Sequence, residues 1–234
     1  MKRIFAFTLA ETLLTLAIIG VVAGLSMPGV IGSYEKSVAC TRVNKFYSQL
    51  NHALSEYLRN SHMSRGDYIV PVVDVNDDWW RKDNVGAWMA EPQKVDDPEN
   101  RHRICYLQKD GTAYCILRVN DTVKASLERD YNTDNYDLQD TERSVSALRI
   151  FFYPNSKYLK SGCMEDKKCC GRRMFVLEIF DGILHTGVGA TYRIDRYEAI
   201  RDCQKDTSSD SWAACTRLIE LDSWAIQRDY PWDR

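Results

Sequence analysis

The sequence predicts an α+β chain: one long N-terminal helix, apolar in its first half and amphipathic in its second, packed on a head of antiparallel strands braced by disulfides. Three observations carry that reading. No charged residue stands between Thr12 and Tyr34. Apolar residues then recur at helical spacing from Val38 to Tyr57. The rest of the chain alternates apolar runs with turn residues and holds seven of the eight cysteines.

The N-terminal segment comes first. Lys2 and Arg3 precede the uncharged run, whose 23 residues span roughly 34 Å as a helix, enough for a hydrocarbon core about 30 Å thick. Cations before the run place Met1 on the cytoplasmic side. Glu11 then stands inside the apolar stretch, with Phe5 to Ala10 before it and Leu13 to Ile19 after it. A carboxylate at membrane depth costs on the order of 2.5–3.5 kcal/mol on insertion scales, so it calls for a partner. The next cation is Lys36. A cut just before Phe7 would supply a nearer one, the new amino terminus. A signal peptide gains nothing from such a carboxylate.

Ala6-Phe7-Thr8-Leu9-Ala10-Glu11, the aliphatic run after it and Pro28 resemble the N-terminal signature of type IV prepilins and type II secretion pseudopilins. The resemblance implies cleavage after Ala6 by a membrane prepilin peptidase, then N-methylation of Phe7. It implies that Glu11 pairs with the terminal ammonium of a neighbouring subunit, and that Pro28 loosens the helix within a filament. The family usually has Gly before the cut, where this chain has the small Ala6. On this reading residues 1–6 are a leader, 7–31 the transmembrane half of the helix, 32–60 its amphipathic half and 61–234 the globular head.

In the amphipathic half, Val38, Val43, Phe46, Leu50, Leu54 and Tyr57 form one stripe, and Lys36, Arg42, Lys45, Asn51 and Glu56 fill the other faces. Pro28, Gly29 and Gly32 are expected to weaken the helix before it. Asn60-Ser61 marks its end.

The head reads as strands and turns. Arg103 to Leu117 is a hairpin around Lys109-Asp110-Gly111, with Gly111 at the left-handed position and Cys105 opposite Cys115. Met174 to Val188 is a second hairpin turning at Asp181-Gly182, and Ala147 to Tyr153 is a further strand. A short helix is expected over Trp212 to Leu221, capped by Ser209 or Asp210. Cys203 and Cys215 bracket a polar loop, and a bond between them is worth roughly 3 kcal/mol on the chain-entropy model; a C-terminal disulfide loop also fits the pilin resemblance. Of Cys169 and Cys170, one is expected to join Cys163 and the other a distant partner, for which Cys40 is left over.

Several functions lose support. A net charge of −2 leaves no basic footprint for nucleic acid. No CxxC pair and no His at ligand spacing from a Cys favours zinc. Asp74 to Val85 alternates some oxygen ligands, but Trp79 stands where a calcium loop needs Gly, and Val85 where it needs a bidentate Glu. No nucleophile elbow, HExxH or phosphate loop appears. Catalytic residues, metal ligands and cofactors are therefore expected to be absent, and the chain is not expected to be an enzyme. Trp79, Trp80 and Trp88 read as a loop's own small core or as an adhesive surface.

The reading is a structural subunit, a pilin or pseudopilin and one candidate for a minor subunit, of a type IV pilus or type II secretion filament. Its implied partners are copies of itself or other pilins, the prepilin peptidase, and the assembly platform with its ATPase. Its implied location is the bacterial inner membrane, single-pass, and then an extracytoplasmic filament. The alternative is a membrane-tethered extracytoplasmic binding protein or enzyme with a similar anchor.

Overall fold

The computed structural model describes residues 9–65, 68, 76–98, 103–119, 147–161, 163, 169–187, 194–204 and 209–232. The chain divides into two units, Met1–Val38 and Ala39–Arg234. Helix α1, Leu9–Asn60, belongs to both. It is continuous through Pro28 and Gly29. A proline removes one ladder bond, and the turns on either side carry the helix across it. The helix stops at a left-handed residue, His62 (φ 52°). Met63 N–H reaches back to the Leu58 carbonyl at 3.0 Å, a Schellman-type closure with His in the place Gly usually takes.

The second unit is built on an antiparallel sheet of six strands in the meander order β1 to β6. These are Gln93–Val95, Ile104–Leu107, Ala113–Val119, Ala147–Tyr153, Phe175–Phe180 and Ile183–His185. β4 and β5 are buried along their whole length, because both sheet faces are covered. On one face Tyr114, Ile150, Phe152 and Leu177 meet Val43, Phe46, Leu50 and Leu54 of α1. The Phe46 ring stacks on Phe152 at 4.4 Å and tilts against Tyr114 at 5.2 Å. On the other face Cys105, Cys115, Phe151, Tyr153 and Val176 pack with Leu159, Cys163, Cys169 and Met174.

Turn chemistry sets the registers. Between β2 and β3, Gln108 N–H donates to the Thr112 carbonyl at 2.9 Å, leaving three loop residues with Gly111 at φ 80°. Between β5 and β6, Asp181 and Gly182 are both left-handed, at φ 51° and 65°. That is the two-residue turn whose twist matches paired strands. A Cβ on Gly182 would lie 2.5 Å from the Arg65 carbonyl oxygen, so this turn also needs Gly for closeness.

Polar contacts fix α1 against two of the turns. Lys45 Nζ meets Asp110 Oδ2 at 2.7 Å, and Arg42 donates to the Pro154 carbonyl. Burial works to raise the Asp110 pKa, but hydrogen bonds from Lys45 and Thr112 hold it below the ordinary carboxylate range.

Among the described residues, three further α-helices belong to this unit. α2, Asp77–Asp83, starts where the sequence shows its oxygen-rich run; Asn76 Oδ1 caps it by accepting from Trp79 N–H at 2.9 Å. α3, Arg196–Gln204, was not anticipated. α4, Ser209–Leu221, begins three residues before the expected Trp212. Its Ala213, Ala214, Leu218 and Ile219 are fully buried. Thr216 Oγ1 accepts the Val176 N–H at 2.9 Å, which satisfies β5 where β6 does not reach.

Phe46 is 1% exposed between two aromatic rings. Phe46→Ala is expected to lower the unfolding free energy by about 3–5 kcal/mol with the disulfides intact. Denaturant titration of the detergent-solubilised chain measures it, and a loss under about 1 kcal/mol would contradict this packing.

Candidate functional site

The first unit presents apolar side chains to its surroundings along its whole described length. Leu9 is 78% exposed and Leu25 80%, and Leu13, Leu16, Ile19, Val22 and Ile31 are all more than half exposed. Among the described residues α1 is long and apolar enough to cross a membrane, and none of its most apolar window is buried. Four of its hydroxyls are satisfied inside the helix. Thr12 donates to the Leu9 carbonyl at 2.8 Å, Thr15 to Thr12 at 2.9 Å, Ser26 to Val22 at 2.9 Å and Ser33 to Val30 at 2.9 Å. A hydrocarbon solvent demands this, since it offers no partner of its own. Glu11 lies in the first turn of the described helix, at an exposed position. Ala6, Phe7 and Thr8 lie outside the described residues, and Pro28 sits within α1.

In the second unit the structure joins Cys105 to Cys115 and Cys203 to Cys215, with Cα atoms 4.0 and 4.7 Å apart. Cys163 joins Cys169 at a Cα separation of 5.4 Å. Cys40 and Cys170 stay outside these bonds, so the expected link from the vicinal pair to Cys40 does not exist. The reason is placement: Cys40 is buried in the face of α1 that meets the sheet, and Cys170 belongs to the turn that packs under the C-terminal tail. Burial pushes the Cys40 thiol up to about 12. The tail is fixed by Tyr230, whose hydroxyl donates to the Gly171 carbonyl at 2.6 Å, and by Arg196, which grips Asp222 and Asp229. Arg172 lies over the Trp232 ring at 5.6 Å.

A cavity of about 640 Å³ opens between the start of α2 and strands β1 to β3. Val95, Ile104, Ile116 and Leu117 form its apolar wall, and Asp77, Lys94, Asp96, Asp97, Arg103 and Arg118 its polar one. Several of those charges are engaged. Arg103 Nη2 meets Asp97 Oδ1 at 2.5 Å with both side chains sunk, and Tyr106 donates to Asp77 at 2.6 Å. Burial first, then Asp77, raises the Tyr106 pKa. A phenol held in its protonated form donates; it is no base at neutral pH. On the other sheet face, Arg149 and Glu178 stand opposite each other on β4 and β5, 3.3 Å apart and buried. Among the described residues no three of His, Cys, Asp and Glu gather as a metal site. Trp80 is buried and Trp88 is 44% exposed, so the tryptophans divide between core and surface.

A family model described as a family of unknown function (DUF6613) matches residues 29–233, and the chain belongs to that family. No curated protein and no solved structure matches it. The family match starts at Gly29, so most of the exposed apolar segment lies before it.

The double substitution Ile19→Asp/Val22→Asp is expected to cost about 5–7 kcal/mol of insertion free energy. Alkaline carbonate extraction reads the outcome: the wild-type chain stays with membranes and the variant is released. Retention of both would contradict a spanning role for this segment.

Proposed function

We propose that the chain is the precursor of a pilin-type filament subunit, of a type IV pilus or a type II secretion pseudopilus, assembled through its N-terminal helix. The observation that carries the proposal is Glu11 in the first turn of an exposed apolar helix that then supplies the core of a disulfide-braced head. A carboxylate there is costly in lipid, and the ammonium of Phe7 at the new amino terminus of a neighbouring copy is a cation of the opposite charge for it to pair with. The charge pair is strong at that depth because little water screens it. Removal of residues 1–6 by the prepilin peptidase frees that ammonium. Extraction from the membrane by the platform and its ATPase then exchanges lipid contacts for contacts among the apolar helices. The bacterial inner membrane is the site of synthesis, and the head lies outside the cytoplasm, where disulfides persist.

The cavity beside β1 supports a second reading, a membrane-tethered binding protein whose head takes a small ligand. It gives no role to Glu11, and for that reason ranks second.

Glu11→Gln tests the first reading. The variant is expected to insert at least as well as wild type, to keep its head fold and to enter filaments poorly, with sheared-filament yield reduced at least tenfold. Wild-type yield from the variant would refute the pairing, whereas loss of membrane insertion would point to a structural role for the charge.

A further inference from the structure

Each disulfide of the head closes a short loop: 10 residues for Cys105–Cys115, 6 for Cys163–Cys169 and 12 for Cys203–Cys215. Pairing in order of synthesis would join Cys40 to Cys105, Cys115 to Cys163 and Cys169 to Cys170, and would reproduce the native choice only at Cys203–Cys215. Loop closure explains the native choice at two of the bonds. The chance of contact falls as about the −3/2 power of loop length, so Cys105 meets Cys115 roughly 15-fold more often than it meets Cys40, about 65 residues upstream. Cys203 prefers Cys215 to Cys170, about 33 residues upstream, by roughly fivefold. The β2–β3 turn adds to this, since a hairpin forms in microseconds and a disulfide in seconds or longer. Cys40 leaves the competition when α1 seats, because a thiol buried there has little thiolate with which to react.

Cys163 is different. Cys169 and Cys170 are its neighbours at almost equal distance, and loop closure separates them by a factor of only about 1.3. What distinguishes them in the folded head is distant in sequence. The Cys169 carbonyl receives the N–H groups of Arg172, Arg173 and Met174 at 3.1, 2.7 and 3.0 Å. Gly171 between them is left-handed at φ 70°, and a Cβ there would stand 2.4 Å from the Tyr230 hydroxyl and 2.6 Å from Cys215 Cβ. Tyr230 and the Cys203–Cys215 bond thus lie directly against this turn in the folded head.

We propose that Cys163 is a disulfide-isomerisation site of the head: it bonds to Cys169 and Cys170 in comparable amounts during oxidation, and a CxxC thiol–disulfide isomerase is the partner that converts the second isomer to the first. Oxidation of each pair passes two electrons and two protons to the disulfide of a dithiol oxidase, which leaves reduced. Conversion needs no net oxidant. The isomerase thiolate attacks Cys163 Sγ and releases the Cys170 thiolate; the Cys169 thiolate then attacks Cys163 Sγ and releases the isomerase. Nothing in this depends on filament assembly.

The test uses the full chain in detergent, reduced in denaturant and reoxidised with glutathione disulfide, with and without purified protein disulfide isomerase, then alkylated and peptide-mapped by tandem mass spectrometry. The expected early ratio of Cys163–Cys169 to Cys163–Cys170 is between about one and two. The isomerase is expected to speed their interconversion alone. Cys170→Ser should abolish the isomerase dependence. Tyr230→Phe should leave the early ratio unchanged and retain more of the Cys163–Cys170 form at the end. A ratio above about ten from the first time point would overturn the proposal. So would isomerase-dependent formation of Cys105–Cys115 or Cys203–Cys215, a continued need for isomerase in Cys170→Ser, or failure of wild type to reach Cys163–Cys169 with the isomerase present.

Discussion

The stripe Val43, Phe46, Leu50 and Leu54 of α1, seated on the sheet face formed by Tyr114, Ile150, Phe152 and Leu177, is the contact on which the head depends. Each of those α1 side chains is at most 2% exposed. Burial of a large apolar side chain stabilises by about 1.5–3 kcal/mol, so four of them contribute on the scale of a domain's whole 5–15 kcal/mol. The head therefore cannot treat α1 as an appendage. The helix also carries the apolar residues 9–34, so a single element meets two environments. Its first part is apolar all round and its second has one apolar stripe and charged flanks, which are the patterns those environments require.

The remaining elements close what α1 leaves open. Its stripe covers one sheet face, and the Cys-rich segment with Leu159 and Met174 covers the other. Thr216 of α4 satisfies the edge of β5. Trp224, left-handed beyond the end of α4, brings its ring to within 5.0 Å of Tyr47, so the C-terminal helix returns to α1. Lys45 and Arg42 tie the polar flank of α1 to the loops after β2 and β4. Disulfides then lock contacts that are already local. They add unfolded-state restraint to a head whose loops are polar.

Much of this could be read in the sequence where a local rule acts alone. The Cys105–Cys115 register follows from a three-residue loop with Gly111, and the β5–β6 turn from Asp181-Gly182. The face of α4 follows from the spacing of Ala213, Ala214, Leu218 and Ile219. Other elements exist only in their tertiary setting. β1 is three residues, Gln93-Lys94-Val95, and has no alternation to show without β2 beside it. α3 buries only Ala199 and Cys203 among polar residues, so its pattern is nearly silent. The run Asp74 to Trp79 has the composition of an ion-binding loop, but Asn76 is spent as a helix cap. Spacing alone narrows the partner of Cys163 to Cys169 or Cys170, which are adjacent and lie 6 and 7 positions from it, and does not separate the two. Of the residues proposed for processing and assembly, Glu11 stands out by its charge within an apolar run, whereas Ala6, Phe7 and Thr8 are recognised only by resemblance.

The claim that unites anchor and head is that the chain is a precursor whose mature form begins at Phe7. Intact-mass and N-terminal peptide analysis of the protein taken from its native membrane tests it most directly. The account predicts a chain lacking residues 1–6, with a methylated Phe7 and six cysteines held in three disulfides. A chain that retains Met1, or starts at any residue other than Phe7, would contradict it.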